Sequence, residues 1–269
     1  MKRWLVWLAD THAGSVYGLC NPEVWLSDGD RDPYHPALTS GQRLYWDWML
    51  EFIEKVKSLT GKQRVDVMHG GDICQGTKHL DGLMSTRMGD HLAIAAANMA
   101  PWMALPNAKS LTLCSGTGAH DFGEGNAEEA VARVLGKKVR MSHHELIDID
   151  GLLVDAAHHG PGTGYRDWTK GNVARLYLQS AVMSDEPAAD IYLRGHVHDS
   201  VWVSLFRHHR MHHLFVAPAW QLPGGWVEQH AQSPSAAVAG GWVLEIVDGR
   251  MRDAHEVPFR LDLRKRVTL

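Results

Sequence analysis

The sequence has few cysteines, no long apolar run and no excess of basic residues. Its three cysteines, Cys20, Cys74 and Cys114, form no Cys-x-x-Cys pair, which excludes a disulfide framework and a cysteine-based zinc site. A formal net charge of −4 argues against a broad basic surface for nucleic acid or membrane. The apolar stretch 4–9 ends at Asp10 and is too short for a signal peptide or a membrane span. We therefore expect a cytoplasmic protein with no membrane partner.

Histidine is abundant instead, with 18 in 269 residues, and several of these lie in short polar motifs. This abundance raises the expectation of a metal site. A chain of this length with 45% hydrophobic residues can bury one large core. We expect a single α/β domain over 1–269, with a candidate inserted cap segment around 74–108. The oligomeric state stays open.

Helical and extended patterns alternate in the first half, which is typical of a parallel sheet with crossover helices. The spacing predicts helices over 41–59, 89–104 and 127–135, and strands over 3–9, 65–68 and 110–114. In the second half, Asp150-Gly151 between apolar runs predicts a hairpin turn, and a helix is predicted over 172–183. Further strands, largely antiparallel, are predicted over 190–193, 201–206, 214–217, 242–247 and 257–261. The histidine-rich stretch 208–213 is predicted to be a solvated turn or a substrate-facing loop.

Short polar motifs follow the predicted strands in a fixed order. They are Asp10-Thr11-His12, Gly71-Asp72, Gly118-Ala119-His120-Asp121, His158-His159-Gly160 and Gly195-His196-Val197-His198. Because strand ends gather residues from distant parts of a chain, these side chains are expected to lie together. Residues i and i+2 share a face in extended backbone. Asp10 and His12 can therefore bind one ion together, and His196 and His198 can be shared between two ions. The set predicts a two-metal hydrolase site that takes Mn, Fe, Zn, Ni or Co.

The order of these motifs, which spans 10–198, resembles that of the calcineurin-like metallophosphoesterase superfamily. The resemblance implies an α/β fold, a four-layer αββα sandwich of two mixed sheets flanked by helices. It implies one ion at Asp10, His12, Asp72 and His198, and a second at Asp72, His196 and either His158 or His159. His159 is preferred because it directly precedes Gly160. His120 would protonate the leaving oxygen or stabilise the phosphoryl group, and Asp121 would orient it.

One position departs from the family pattern. Members usually have Asn before the histidine of the third motif, and its side-chain oxygen binds the second ion, whereas Ala119 stands here. The stretch 116–121, Gly-Thr-Gly-Ala-His-Asp, is similar to that of some phage-type members. The candidates for the missing oxygen ligand of the second ion are Thr117, a main-chain carbonyl and a water. Occupancy of the second site is therefore less secure than that of the first.

The resemblance implies hydrolysis of a phosphoester by a hydroxide that bridges two ions. The favoured substrate is a phosphodiester of a nucleotide or nucleic acid, because a residue of the His120 type protonates a leaving alkoxide. The alternatives are a phosphomonoesterase of a small substrate and a metal-stabilised binding protein with weakened catalysis. Thr117 and Arg166 are the candidate substrate-binding residues.

Overall fold

The computed structural model describes residues 1–27, 32–78, 80, 82–123, 125–162, 167–207, 209–224 and 236–264. The helices among them are α1 (Ser40–Thr60), α2 (Met88–Met103), α3 (Ala127–Leu135) and α4 (Asp167–Ser184). The strands are β1 (Lys2–Leu8), β2 (Arg64–His69), β3 (Ala108–Cys114), β4 (Val139–Ser142), β5 (His144–Ile149), β6 (Leu152–Ala157), β7 (Ile191–Arg194), β8 (Val201–Arg207), β9 (Arg210–Val216), β10 (Ala236–Val247) and β11 (Arg250–Asp262).

The strands form two mixed sheets. The first has the order β11-β10-β1-β2-β3-β4, in which β1 to β4 are parallel and β10 and β11 are antiparallel additions at the β1 side. The second has the order β5-β6-β7-β9-β8, in which β6, β7 and β9 are parallel. The predicted fold class, two mixed sheets flanked by helices, is confirmed.

Three apolar layers hold the sandwich together. On β1, Trp4, Val6 and Leu8 pack with α1, α2 and α3, whereas Leu5 and Trp7 face the second sheet. This alternation follows from the two-residue period of a strand, and both faces are apolar because both are covered. The outer face of the second sheet packs on Leu178 and other apolar residues of α4. The layers therefore run helices, sheet, sheet, helix.

The helices begin and end where the sequence supplies the caps. Thr39 and Gln42 form a reciprocal capping box at the start of α1, and Gly61 ends that helix with its N–H bound to Lys57 O. Pro101 lies in the last turn of α2, whose buried residues Ile94, Met99 and Trp102 pack in the first core. Within the segment 74–108, α2 is thus the crossover helix between β2 and β3. The division of the chain into domains stays a prediction.

One expectation about secondary structure was wrong. The stretch 210–213 is not part of a turn, because β9 begins at Arg210, whereas His208 lies outside the described residues. His212 is fully buried there, with its Nδ1 2.6 Å from Ala189 O. The second half is largely antiparallel, as predicted, through the pairs β5·β6, β8·β9 and β10·β11, and only β6, β7 and β9 run parallel to one another. No helix in the described ranges is long and apolar enough to cross a membrane.

Candidate metal centre

Each polar motif lies on a loop just after a strand. Asp10 follows β1, Asp72 follows β2, Thr117 and His120 follow β3, His158 follows β6, and His196 and His198 follow β7. Several contacts join the loops of the two sheets; in two of them, His158 Nδ1 lies 2.6 Å from Gly70 O, and His196 N donates to Asp10 Oδ2 at 3.1 Å. The ends of both sheets therefore meet in one polar cluster.

Asp10, His12 and His198 form the first half of this cluster. Their donor atoms lie within 4.8 Å of one another. His198 Nε2 is 3.4 Å from Asp10 Oδ1 and 3.2 Å from His12 Nε2. Asp10 and His12 are buried, whereas His198 lies at the surface end of the cluster. One carboxylate and two imidazoles at this spacing can hold a divalent transition-metal ion.

Asp72 and His158 are the centre of the second half, with Asp72 Oδ2 3.0 Å from His158 Nε2. The Nδ1 atom of His158 faces Gly70 O, which leaves Nε2 as the atom directed at Asp72. His196 lies against the His158 ring at 5.0 Å between centroids. The donor atoms of His158, His159 and His196 also lie within 4.8 Å of one another. This second group can hold an ion as well.

The two adjacent histidines lie in different surroundings. His158 is buried and contacts Asp72, whereas His159 is exposed and lies beside His196 with 4.8 Å between ring centroids. The position directly before Gly160 does not identify the ligand, because Gly160 is required for a close approach to Arg194 and not for the metal centre. A Cβ at Gly160 would lie 2.6 Å from the side chain of Arg194.

Asp72 connects the two halves. It belongs to one group with His12 and His120 and to another with Asp10 and His158. A carboxylate has two oxygens and can bridge two ions, which is the role the resemblance implies for Asp72. Asp72 also contacts the loop after β3, where Thr117 N donates to Asp72 Oδ1 at 2.6 Å.

A poorly satisfied buried oxygen supports a cation at this centre. Asp10 is fully buried, and His198 Nε2, 3.4 Å from its Oδ1, makes no well-formed hydrogen bond with that oxygen. A buried carboxylate oxygen with so weak a donor is disfavoured unless a positive charge compensates it. The residues present thus fit the metal ions that the resemblance implies.

The protonation of the cluster also favours a cation. Burial lowers the pKa of His12 to about 3, so its imidazole is neutral at pH 7 and binds a metal without first losing a proton. Burial opposes the charged form of His158 too, but its hydrogen bond with Asp72 and the charges of Asp10 and Asp72 raise its pKa to about 9. In the metal-free protein a proton at His158 thus offsets the buried carboxylates. The same hydrogen bond helps to hold the pKa of Asp72 well below its usual range, against burial, which raises it.

His120 lies at the edge of the cluster and is held by main chain. Its Nδ1 lies 2.7 Å from Gln75 O, and its Nε2 lies 3.7 Å from Asp72 Oδ2. The Gln75 side chain in turn accepts from Gln221 Nε2 at 3.0 Å. Nε2 therefore faces the cluster, where it can exchange a proton with a bound molecule. Asp121, predicted to orient His120, accepts from Ala127 N at the start of α3 at 2.9 Å.

The sequence reasoning missed the residues that hold the loops in place. Thr11 Oγ1 donates to Ile73 O at 3.1 Å and lies 3.1 Å from His69 Nε2, while Gly71 N donates to His69 Nδ1. Burial lowers the pKa of His69 to about 4, so it is neutral, as these contacts require. His69 ends β2, two residues before the Gly71-Asp72 motif, and nothing in its spacing distinguishes such a support from a ligand.

Glu128 is a second support that the sequence did not reveal. It lies on α3, is buried, and accepts from Ile73 N at 3.1 Å, next to Asp72. Burial raises the pKa of the Glu128 carboxyl to about 7, and the charge of Asp72 contributes in the same direction. A charged residue in the first turn of an amphipathic helix is ordinarily solvated, so the pattern gives no signal of this burial.

Glu128→Gln is expected to change how stability depends on pH in the metal-free protein. A carboxyl with a raised folded-state pKa stabilises the fold below its unfolded pKa, and this contribution is lost as pH rises toward 7. The amide does not ionise, so the variant should gain about 2 kcal/mol in free energy of unfolding relative to wild type between pH 5 and pH 8. Urea unfolding in a chelator at both pH values measures this. Glu129→Gln, at the neighbouring exposed position, should show no such gain, and an equal change in both variants would contradict the assignment.

Several of the candidate ligands have strained main chain. Asp10, His12, Asp72, His196 and His198 all have φ between 45° and 71°, a region that non-glycine residues seldom adopt. Two glycines allow the loops to approach this closely. A Cβ at Gly116 would lie 2.3 Å from Asp72 N, and one at Gly71 would lie 2.7 Å from His158 Nδ1. The positive φ angles and the two glycines thus bring the candidate ligands close together.

The remaining candidate residues divide between the site and its surroundings. Thr117 lies within the second half of the cluster, as its contact with Asp72 indicates. Arg166 lies outside the described residues. The roles of all these residues as ligands, acid or substrate contacts stay predictions.

Comparisons with known proteins give likenesses of structure only. No family model matches the sequence, and none of the curated proteins matches it. Among solved structures, the chain is similar to a conserved uncharacterized protein of Streptococcus pneumoniae described as a predicted phosphoesterase, at 12% identity and a TM-score of 0.39, covering 97% of this chain and 98% of that one. It is also similar to Vps29 of Entamoeba histolytica complexed with Zn²⁺, at 12% identity and a TM-score of 0.40, covering 97% and 99%. Likenesses at these scores do not indicate which reaction, if any, this chain catalyses.

Proposed function

We propose that this chain is a dinuclear metal-dependent phosphoesterase that hydrolyses phosphodiesters of nucleotides or nucleic acid. The observation that carries the proposal is the position of Asp72, whose carboxylate lies between the group with His12 and the group with His158. A carboxylate shared by two groups of imidazoles is what a pair of closely spaced ions requires.

The charge of the site suits an anionic substrate. The two carboxylates of the cluster, Asp10 and Asp72, carry two negative charges, and its other donors are imidazoles and a hydroxyl. Two divalent ions bring four positive charges, so the loaded centre has a surplus of positive charge that favours a phosphate group. When bound, such ions supply a hydroxide at neutral pH and stabilise charge on the phosphoryl oxygens.

His120 supplies the proton chemistry in this proposal. Because its Nδ1 is held at Gln75 O, Nε2 stays directed at the cluster without a separate ordering step. A protonated Nε2 donates to the oxygen that leaves when the phosphoester bond breaks. Help of this kind matters most for a basic alkoxide, the leaving group of a natural nucleotide diester.

The substrate class is tested with two chromogenic esters. Metal-stripped protein is reloaded with Mn, Ni, Zn, Co or Mg and assayed on bis(p-nitrophenyl) phosphate and on p-nitrophenyl phosphate. We expect kcat/KM for the diester to exceed that for the monoester by about tenfold or more with at least one transition metal.

Asp72→Asn protein purified in the same way controls for contaminating phosphatases, because this variant should bind neither ion. A preference for the monoester would show that the chain is a phosphomonoesterase and not a phosphodiesterase. Absence of turnover with every metal, together with tight binding of one ion, would show that the chain is a metal-stabilised binding protein and not an enzyme. Manganese is our first choice of ion for the assay, since mixed oxygen and nitrogen donors accept it.

A further inference from the structure

The side chain of Thr117 lies among the donors of the second half of the centre. Its Oγ1 donates to Asp72 Oδ2 at 3.2 Å and lies 3.1 Å from His158 Nε2 and 3.3 Å from His196 Nδ1. The hydroxyl has one proton, which it donates to Asp72, and its lone pairs can accept from an N–H of either histidine. One oxygen thus contacts three candidate metal-binding atoms of the second half at once.

The spacing of these atoms is that of donors sharing one ion. Two donors at about 2.1 Å from a transition metal lie roughly 3.0 Å apart at a right angle and roughly 3.4 Å apart in a tetrahedron. The three Thr117 distances and the 3.0 Å between Asp72 Oδ2 and His158 Nε2 all fall in this interval.

The local chain explains how a residue two positions before Ala119 arrives here. His120 N donates to Thr117 O at 2.8 Å, which closes a turn over 117–120. Thr117 N is held by Asp72 Oδ1 at 2.6 Å, and this close approach requires the glycine at position 116. The turn thus anchors Thr117 by its main chain and leaves its hydroxyl free to face the histidines.

We propose that Thr117 Oγ1 is a protein ligand of the second metal ion, in the place of the amide oxygen that Ala119 cannot supply. This inference rests on the proposed function, since it assumes a second ion. The resulting donor set has two oxygens, from Asp72 and Thr117, and two imidazole nitrogens, from His158 and His196. A neutral hydroxyl binds more weakly than a carboxylate, so the second ion should dissociate more readily than the first.

His159 is the competing fourth ligand. Its ring lies 4.9 Å from the His158 ring and 4.8 Å from the His196 ring, and it is exposed where Thr117 is half-buried. Its main chain is not tied to Asp72, as that of Thr117 is. These differences favour Thr117, and the two residues can be separated by mutation.

The test is calorimetric titration of metal-stripped protein with Mn²⁺ and with Zn²⁺, with metal content measured after gel filtration. Wild type should bind two ions per chain. Thr117→Val, which keeps the shape and the main-chain contact, should weaken the second ion by about tenfold or more and leave the first within about threefold. Thr117→Ser should retain both affinities, and so should His159→Ala. Thermal unfolding of the metal-free variants verifies that each is folded.

The outcomes separate this inference from the proposed function. Two ions in wild type with unchanged affinities in Thr117→Val would overturn the role of Thr117 and leave the dinuclear centre standing. Loss of the second ion in His159→Ala with retention in Thr117→Val would assign the ligand to His159 instead. A wild-type protein that binds only one ion would overturn both the inference and the dinuclear function.

Discussion

Asp72→Asn should remove both metal ions and abolish phosphoester hydrolysis. Asp72 is buried, lies in both halves of the centre, and is one of only two carboxylates in the cluster. The amide has nearly the same shape but no negative charge, and it is a poor bridge between two cations. We expect affinity for each ion to fall by about a hundredfold or more and turnover to fall by at least about a thousandfold.

Metal content by mass spectrometry and kcat on a phosphodiester measure these two losses. Asp66→Asn is a matched control, since Asp66 lies on β2 as well, is buried, and pairs with Arg64 at the opposite end of the strand. It should keep both ions and most of the activity. If Asp72→Asn retained two ions, the bridging role of Asp72 would be wrong and the centre would have to be rebuilt around Asp10.

His120→Ala should lower kcat by about 10²- to 10⁴-fold while leaving metal content nearly unchanged. The reason is the position of its Nε2 at the edge of the cluster, 3.7 Å from Asp72 Oδ2, with the other ring nitrogen held by Gln75 O. A residue placed in this way can reach a molecule bound at the cluster. The loss should be greatest for a dinucleotide, whose leaving alkoxide needs a proton, and smaller for a nitrophenyl ester, whose leaving group does not.

This dependence on the leaving group distinguishes an acid from a ligand. His120 also belongs to a group with His12 and Asp72 that could hold a metal, so loss of an ion in His120→Ala would assign it to the centre itself. An equal loss on both substrates with metal retained would mean that His120 stabilises the phosphoryl group and transfers no proton. Partial rescue of His120→Ala by added imidazole would support the acid role.

The sequence predicted most of the fold because its elements are marked locally. The helix over 127–135 was predicted with its observed bounds, and the hairpin turn at Asp150 lies where it was predicted. By contrast, β4 was missed, since Val139–Ser142 is four residues long and has no clear apolar alternation. Pairing with β3 makes this segment a strand, and a local sequence pattern does not reveal pairing between distant segments.

The candidate site was predictable as a set of motifs but not as a geometry. Strand ends explain why Asp10, Asp72 and His196 come together, and this needs only the order of the elements. The choice between His158 and His159 depends on which ring turns inward, which only the packing decides. Likewise Glu128 was unpredictable, because its burial beside Ile73 N depends on how α3 docks against the loop after β2.

The positive φ angles at Asp10, His12, Asp72, His196 and His198 have a consequence for how fast the centre fills. Each unusual angle destabilises the backbone by about 1 kcal/mol or more, and the packing of the rest of the fold has to compensate for this strain. Because that packing does not depend on the metal, we expect ion uptake to need no slow rearrangement of main chain. The entry rate should then follow the rate at which each metal sheds its own water, faster for Mn²⁺ than for Ni²⁺, and not the rate of any motion of the protein.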